Sequence, residues 1–331
     1  MPKEAIALID KADAIAPYDA GRTETRGYAG LLLGNYKEGW RDFESAVGGK
    51  IRVMRDVRPR WDGKPVKTLV VRGEQGIGDE ISFASVIPSI KGVERIVIDC
   101  DKRLEKLFER SFPDCVVYGT RFQRDAYWMR HEEPEAEILS GSLCKFYRND
   151  LSEFPGTPYL VADPERVLQW RGLLHALGKG KKKVGIAWTG GKPGSHRERR
   201  SLDLESFLPI LKQDAFFVSL QYQDCQEEID DFYDKHGIKI HNWPRATMAQ
   251  DYDDTAALID SLDLIITVQT AVVHTAGALG KPVWAMIPKK PLWRYGLSGD
   301  FPWCKSVKLY RQTKEWSGVI NKIAEDLRAY I

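Results

Sequence analysis

The sequence lacks the spacings by which cysteine or histidine would organise a fold around metal or disulfides. Its five cysteines, Cys100, Cys115, Cys144, Cys225 and Cys304, are scattered without any C-x-x-C pair, and six dispersed histidines add no ligand spacing. A disulfide framework and structural zinc are therefore not expected, and free thiols suit a reducing, cytoplasmic setting. No apolar run exceeds the length of a strand, and the N-terminal MPKEAIALIDKADAIAP alternates charge with alanine and isoleucine. Neither a membrane span nor a signal peptide is expected. Charge of one sign is missing too: 49 Lys+Arg against 47 Asp+Glu leave +2, so nothing global calls for nucleic acid or a lipid surface.

What is present is an α/β pattern long enough, at 331 residues, for two domains and an extra element. Residues 1–47 read as helical with a countable repeat. Ala5, Ile9 and Ala12 recur as Gly39, Phe43 and Ala46, each 34 positions on, which is the tetratricopeptide period, and Pro17 falls where such a repeat closes. About one and a half repeats cannot stand alone, so this segment is either a remnant protein-binding arm or a cap on the first sheet. The linker 48–67 carries Arg52, Arg55, Arg58 and Arg60, which read as a solvated basic turn.

Two glycine-containing turns then follow strand-like runs. Thr68–Arg72 leads into Gly73-Glu74-Gln75-Gly76-Ile77-Gly78-Asp79 and a helix, with glycines in the order G-x-x-G-x-G rather than that of the dinucleotide fingerprint. Asp99 ends the next strand about 20 residues on, a weak mimic of a ribose-binding acid that keeps a nicotinamide oxidoreductase in play. Residues 119–157 read as irregular, with aromatics and charges suited to a loop-built acceptor surface. Val184–Trp188 leads into a long loop from Thr189 to Ser201, whose glycines allow close backbone approach to a ligand and whose cations can neutralise a diphosphate, Arg200 foremost. Gln221 stands at a strand end where a nucleotide base could be edged, and Asp254 is expected to N-cap a helix. The stretch Asp263–Pro288 reads as strand, turn, helix, strand. Its helix starts directly after Val268 and points free N–H groups into the crevice above the sheet, where anions bind. An ordinary βαβ unit without ligand has the same spacing. A final amphipathic helix, Trp316–Tyr330, is expected to pack across the domains.

The stretch Thr270, His274, Gly277-Ala278-Leu279-Gly280-Lys281-Pro282-Val283-Trp284 resembles a segment of the heptosyltransferase-like glycosyltransferases, in particular bacterial ones that carry the domain behind tetratricopeptide repeats. Further motifs are similar and occur in the same order: R-P-R-W-D-G before the first strand, E-Q-G-x-G-D at Glu74–Asp79, the loop with Trp188, Gly190, Pro193, His196, Arg200 and Ser201, D-x-x-D-T-A-A-L-I at Asp251–Ile259, and Pro291–Gly296. Gln269 departs from the pattern, standing where the family has Asp.

The resemblance implies the GT-B architecture, two Rossmann-like domains facing a cleft: residues 48–163 for the acceptor and 164–331 for the nucleotide sugar, behind the helical segment 1–47. It implies an inverting transfer of a hexose or heptose to an acceptor hydroxyl of a glycan, lipid-linked or protein substrate, with a nucleotide-diphosphate sugar as donor substrate and neither cofactor nor metal. Asp79 would be the general base, beside Gly76 and Gly78, with Glu74 and Glu80 in reserve. Thr189, Gly190, His196, Arg200, Ser201, Gln269, Thr270, Ala271, Val272 and His274 would hold the donor diphosphate. Gln221, Asp254, Trp293 and Arg294 would meet nucleotide or sugar. A second reading, motivated by Gln269, is a catalytically silent nucleotide-sugar-binding protein with a partner on the helical segment.

Overall fold

The computed structural model of the protein describes residues 1–16, 19–49, 52–124, 126–191, 197–248 and 251–331; Pro17, Pro193 and His196, all singled out in the sequence, lie outside them. Contacts divide the chain into two units, Met1–Gly156 with Pro291–Trp303, and Thr157–Lys290 with Cys304–Ile331. The segment 291–303, read in sequence as part of the nucleotide-sugar domain, thus belongs to the first unit.

The first unit opens with three helices, α1 (Pro2–Ile15), α2 (Ala20–Leu32) and α3 (Tyr36–Phe43). Asp19 caps α2 by accepting from the Arg22 amide at 2.8 Å. Glycine lets α2 and α3 touch backbone to backbone, since a Cβ on Gly27 would sit 2.6 Å from the Phe43 nitrogen. A four-stranded parallel sheet follows, in the order β3 (Cys115–Tyr118), β2 (Val93–Asp99), β1 (Val66–Arg72), β4 (Ala136–Leu139). Strand β4 lies in the region expected to be irregular. Its Glu137 breaks the apolar run, yet is fully buried because Oε1 accepts the Val57 amide at 2.9 Å. The aromatics of this region are largely packed: Trp128 is buried and Phe146 lies against Trp61 at 5.1 Å.

The linker arginines divide: Arg58 and Arg60 are exposed, as a solvated turn requires, whereas buried Arg52 and half-buried Arg55 correct that expectation. Arg52 is completely buried. Arg58 Nε donates to the Pro134 carbonyl at 2.8 Å, and Arg55 binds the carbonyl of Gln123, so the linker is laid along β4. An isolated parallel bridge between Arg60 and Glu137 completes that cover. A strand edge left bare would expose unpaired backbone, and the linker answers that need.

The second unit holds a six-stranded parallel sheet, β10 (Val307–Arg311), β9 (Val283–Ile287), β8 (Leu264–Val268), β5 (Lys183–Ala187), β6 (Phe216–Ser219), β7 (Ile240–His241). Strands β8 and β9 are buried at every position, as both-face coverage demands. The terminal helix Trp316–Tyr330 presents Val319, Ile320, Ile323 and Leu327 to the same core as Leu204, Phe207 and Leu211, so its apolar face is used inside this unit. No helix among the described residues is long and apolar enough to cross a membrane.

Candidate functional site

Parallel sheets take ligands outside the carboxyl ends of their strands, where strand order reverses. In the second unit the reversal falls between β5 and β8, paired from Val184 with Leu264 to Ala187 with Thr267. The extensions of these two strands touch. A Cβ on Gly190 would lie 2.7 Å from Thr270 Cγ2 and 2.9 Å from the Gln269 carbonyl, so only glycine fits. The returning arm of the loop runs alongside, with Leu202 donating to the Trp188 carbonyl at 2.8 Å and the Gly190 amide donating to Ser201 Oγ at 3.1 Å. Arg200 directly precedes this ladder and is half-buried. Thr189, Gly190, Arg200, Ser201, Gln269, Thr270 and Ala271 are thereby gathered at one end of the sheet, although they span more than eighty positions of sequence.

Thr270 caps the helix Ala271–Ala278: its hydroxyl accepts from the Val272 amide at 3.1 Å and its carbonyl from the Val273 amide at 3.2 Å. Val272, expected as a diphosphate donor, therefore already has an acceptor, and the first-turn amides left for an anion are those of Thr270 and Ala271. Gln269 and His274 are 1 % and 8 % exposed. Gln221 differs from expectation. It is buried, with its amide bound to the Thr189 hydroxyl and its carbonyl oxygen 3.4 Å from the Thr189 nitrogen, so it braces the loop. Asp254 is not the cap of the helix Tyr252–Asp260; Asp251 is, accepting from the Asp253 amide at 3.0 Å. The Asp254 carboxylate instead accepts from Trp170 Nε1 at 2.9 Å. No group of three or more metal-ligating side chains occurs among the described residues.

In the first unit the reversal falls between β1 and β4, and it is filled. The Arg52 guanidinium forks onto Glu74 at 2.6 and 3.0 Å, donates to Ser142 Oγ at 2.7 Å and to the Phe43 carbonyl at 2.9 Å. The Gly141 amide gives Glu74 a further bond at 2.8 Å. Burial works to lower the Arg52 pKa, but the charge and hydrogen bonds of Glu74 outweigh it and hold the guanidinium above its usual range. Glu74 is thus unsuited to be a base. Glu80, the other reserve, is 2 % exposed and bound by the Arg121 guanidinium and the Asp101 amide. Burial pushes its carboxyl up to about 7 against the opposing pull of Arg121.

Beyond this plug the chain turns through Gln75 at φ 61° into α4 (Ile77–Ala84). Asp79 sits in the first turn of α4. Its Oδ2 accepts from the Gly76 amide at 2.9 Å, and its Oδ1 lies 2.7 Å from Arg294 Nη2. The Gly78 carbonyl accepts from Ser82 Oγ at 2.9 Å, within the same helix. The sequence had placed Trp293 and Arg294 over the sugar. Trp293 is instead set among Tyr28, Trp40, Phe43, Phe83 and Trp303 of the first unit, and Arg294 reaches Asp79 from there. Asp99, the mimic of a ribose acid, is fully buried against Thr120 Oγ1 at 2.8 Å and Arg72 Nε at 3.3 Å, out of reach of any ribose.

Comparison with known proteins adds three findings. The chain is 31% identical over 323 residues to Protein FlbA of Caulobacter vibrioides, a match that covers 91% of the chain and 54% of FlbA, so the chain spans about half the length of the curated relative it matches. Its fold is similar to that of a family 9 glycosyl transferase from Veillonella parvula (TM-score 0.54, 14% identity, 81% of this chain and 92% of that one). It is similar also to that of the E. coli ADP-heptose lps heptosyltransferase II (TM-score 0.52, 12% identity, 80% and 98%). No family model matches the sequence. Two parallel-sheet α/β units with a heptosyltransferase-like glycosyltransferase fold are what these likenesses establish.

Proposed function

We propose that the chain is an inverting, metal-independent glycosyltransferase that moves a sugar from a nucleoside-diphosphate sugar to an acceptor hydroxyl in the cytoplasm. The observation that carries this reading is the contact of Gly190 with Gln269 and Thr270 at the strand-order reversal of the second unit, beneath the start of a helix. The fold likeness and the ordered motifs support it. Asp79 takes the acceptor proton late, as the hydroxyl becomes acidic. The oxygen attacks the anomeric carbon, and the bond to the diphosphate breaks with its electron pair going to the phosphate oxygen. Arg200 and the amides of Thr270 and Ala271 stabilise that developing charge. The helical segment, whose period resembles tetratricopeptide repeats, serves as a site for a protein partner or acceptor.

The test is nucleoside-diphosphate release from ADP-, UDP- and GDP-linked hexoses and heptoses, alongside thermal shift with the free diphosphates, since a ligand bound only by the folded state raises Tm. Asp79→Asn is expected to lower kcat by about 10²-fold or more, the range for loss of a general base. Thermal shifts with diphosphates but no turnover of any donor would favour the second reading, a silent binding protein, to which Gln269 in place of Asp points.

A further inference from the structure

We propose that Arg294 is a positioning residue that clamps the Asp79 carboxylate, and that the N-terminal helices build the wall holding it; the proposal rests on Asp79 acting as the base. Asp79 and Phe83 lie four residues apart on α4, hence on one face. Together they make a receptor for a guanidinium. The Arg294 head lies 4.7 Å from the Phe83 ring centroid and 4.1 Å from that of Trp293, with Nη2 in close ion contact with Asp79 Oδ1 at 2.7 Å. Its side chain is 6% exposed and that of Asp79 is 26% exposed.

Two features separate a clamp from a substrate-binding arginine. The charge of Arg294 is already matched by Asp79, and withdrawing the acid would leave a buried cation without its partner. The two carboxylate oxygens are also engaged separately, Oδ2 accepting from the Gly76 amide and Oδ1 in ion contact with Arg294, which limits how the carboxylate can turn. An arginine normally sacrifices much rotamer freedom to do this, and here the rings have removed that freedom in advance. The Trp293 ring is backed in turn by the helical segment. Trp293 has its ring centroid 5.4 Å from that of Trp40 and 6.0 Å from that of Phe43, both on α3, and 6.4 Å from that of Tyr28 on α2.

Steady-state release of nucleoside diphosphate, with whichever of the ADP-, UDP- or GDP-sugars turns over, tests this on Arg294→Met, Arg294→Lys, Arg294→Ala and Asp79→Asn. Arg294→Met is expected to lower kcat about tenfold or more with donor KM within about twofold, because misplacing a reacting group costs rate and not donor binding. Arg294→Lys keeps the charge without the planar stack and should fall between wild type and Arg294→Met. Added methylguanidinium should restore part of kcat in Arg294→Ala and none in Asp79→Asn. Wild-type kcat in Arg294→Met, or a raised donor KM at unchanged kcat, overturns the clamp while leaving the proposed function standing. Full activity in Asp79→Asn, or no turnover of any donor, overturns the assignment of the base and the clamp with it.

Discussion

The two sheets meet their strand-order reversals in opposite ways. In the first unit, between β1 and β4, a buried Arg52–Glu74 pair and Ser142 occupy the position. In the second, between β5 and β8, the same position is lined by Gly190, Thr270 and Ser201. Parallel topology offers a ligand site at both reversals, and side-chain volume decides which remains available. Where a fork of charged groups fills the space, the position serves stability. In the proposed reading, the chemistry of the first unit lies one turn onward, at Asp79 at the start of α4.

Breaking the plug should give the largest effect. Arg52→Met leaves Glu74 buried without its partner, and unfolding by denaturant is expected to show about 3–5 kcal/mol of lost stability. A loss below about 1 kcal/mol would mean that the pair does not hold the first reversal shut. Glu80 supplies a pH test beside it. Its folded pKa of about 7 lies above the unfolded value near 4.5, so its contribution is full below pH 4.5 and is lost as pH rises through 7. Stability measured across that window should fall by about 3 kcal/mol relative to Glu80→Gln, and parallel curves for the two proteins would refute the assignment.

The second reversal should respond more gently. Gly190→Ala places a methyl against Thr270 and Gln269, at an expected cost of about 1–3 kcal/mol from overpacking and with a larger loss in affinity for nucleoside diphosphates. Unchanged diphosphate binding in that variant would sink the site. Smallest of all, Thr270→Ala removes the cap from the helix Ala271–Ala278 and should cost about 1 kcal/mol, visible as a lowered Tm.

Legibility in the sequence followed the range of the interactions. Strands β8 and β9 and the terminal helix could be read at their observed bounds, and the helix between them by its place, because apolar runs, the small residues after Val268 and Gly280 are local signals. Strand β4 was missed because Glu137 looks like a surface residue until its carboxylate meets the Val57 amide, eighty positions away. Arg52 was misread for the same reason, since its partners Glu74 and Ser142 lie 22 and 90 positions off. Gln221 and Asp254 looked like ligand groups because each sits beside a strand or helix end, but the loop and Trp170 had already claimed their polar atoms.

By itself, then, the order of apolar runs and turns determined an α/β chain of strands followed by loops and helices, and the family resemblance implied its division over two parallel sheets, since backbone conformation and strand burial are written in neighbouring residues. Which charged groups are spent inside and which remain for chemistry was decided only by tertiary structure. Arg294 is the clearest instance: 215 positions separate it from Asp79, and only folding brings a guanidinium across Phe83 onto that carboxylate.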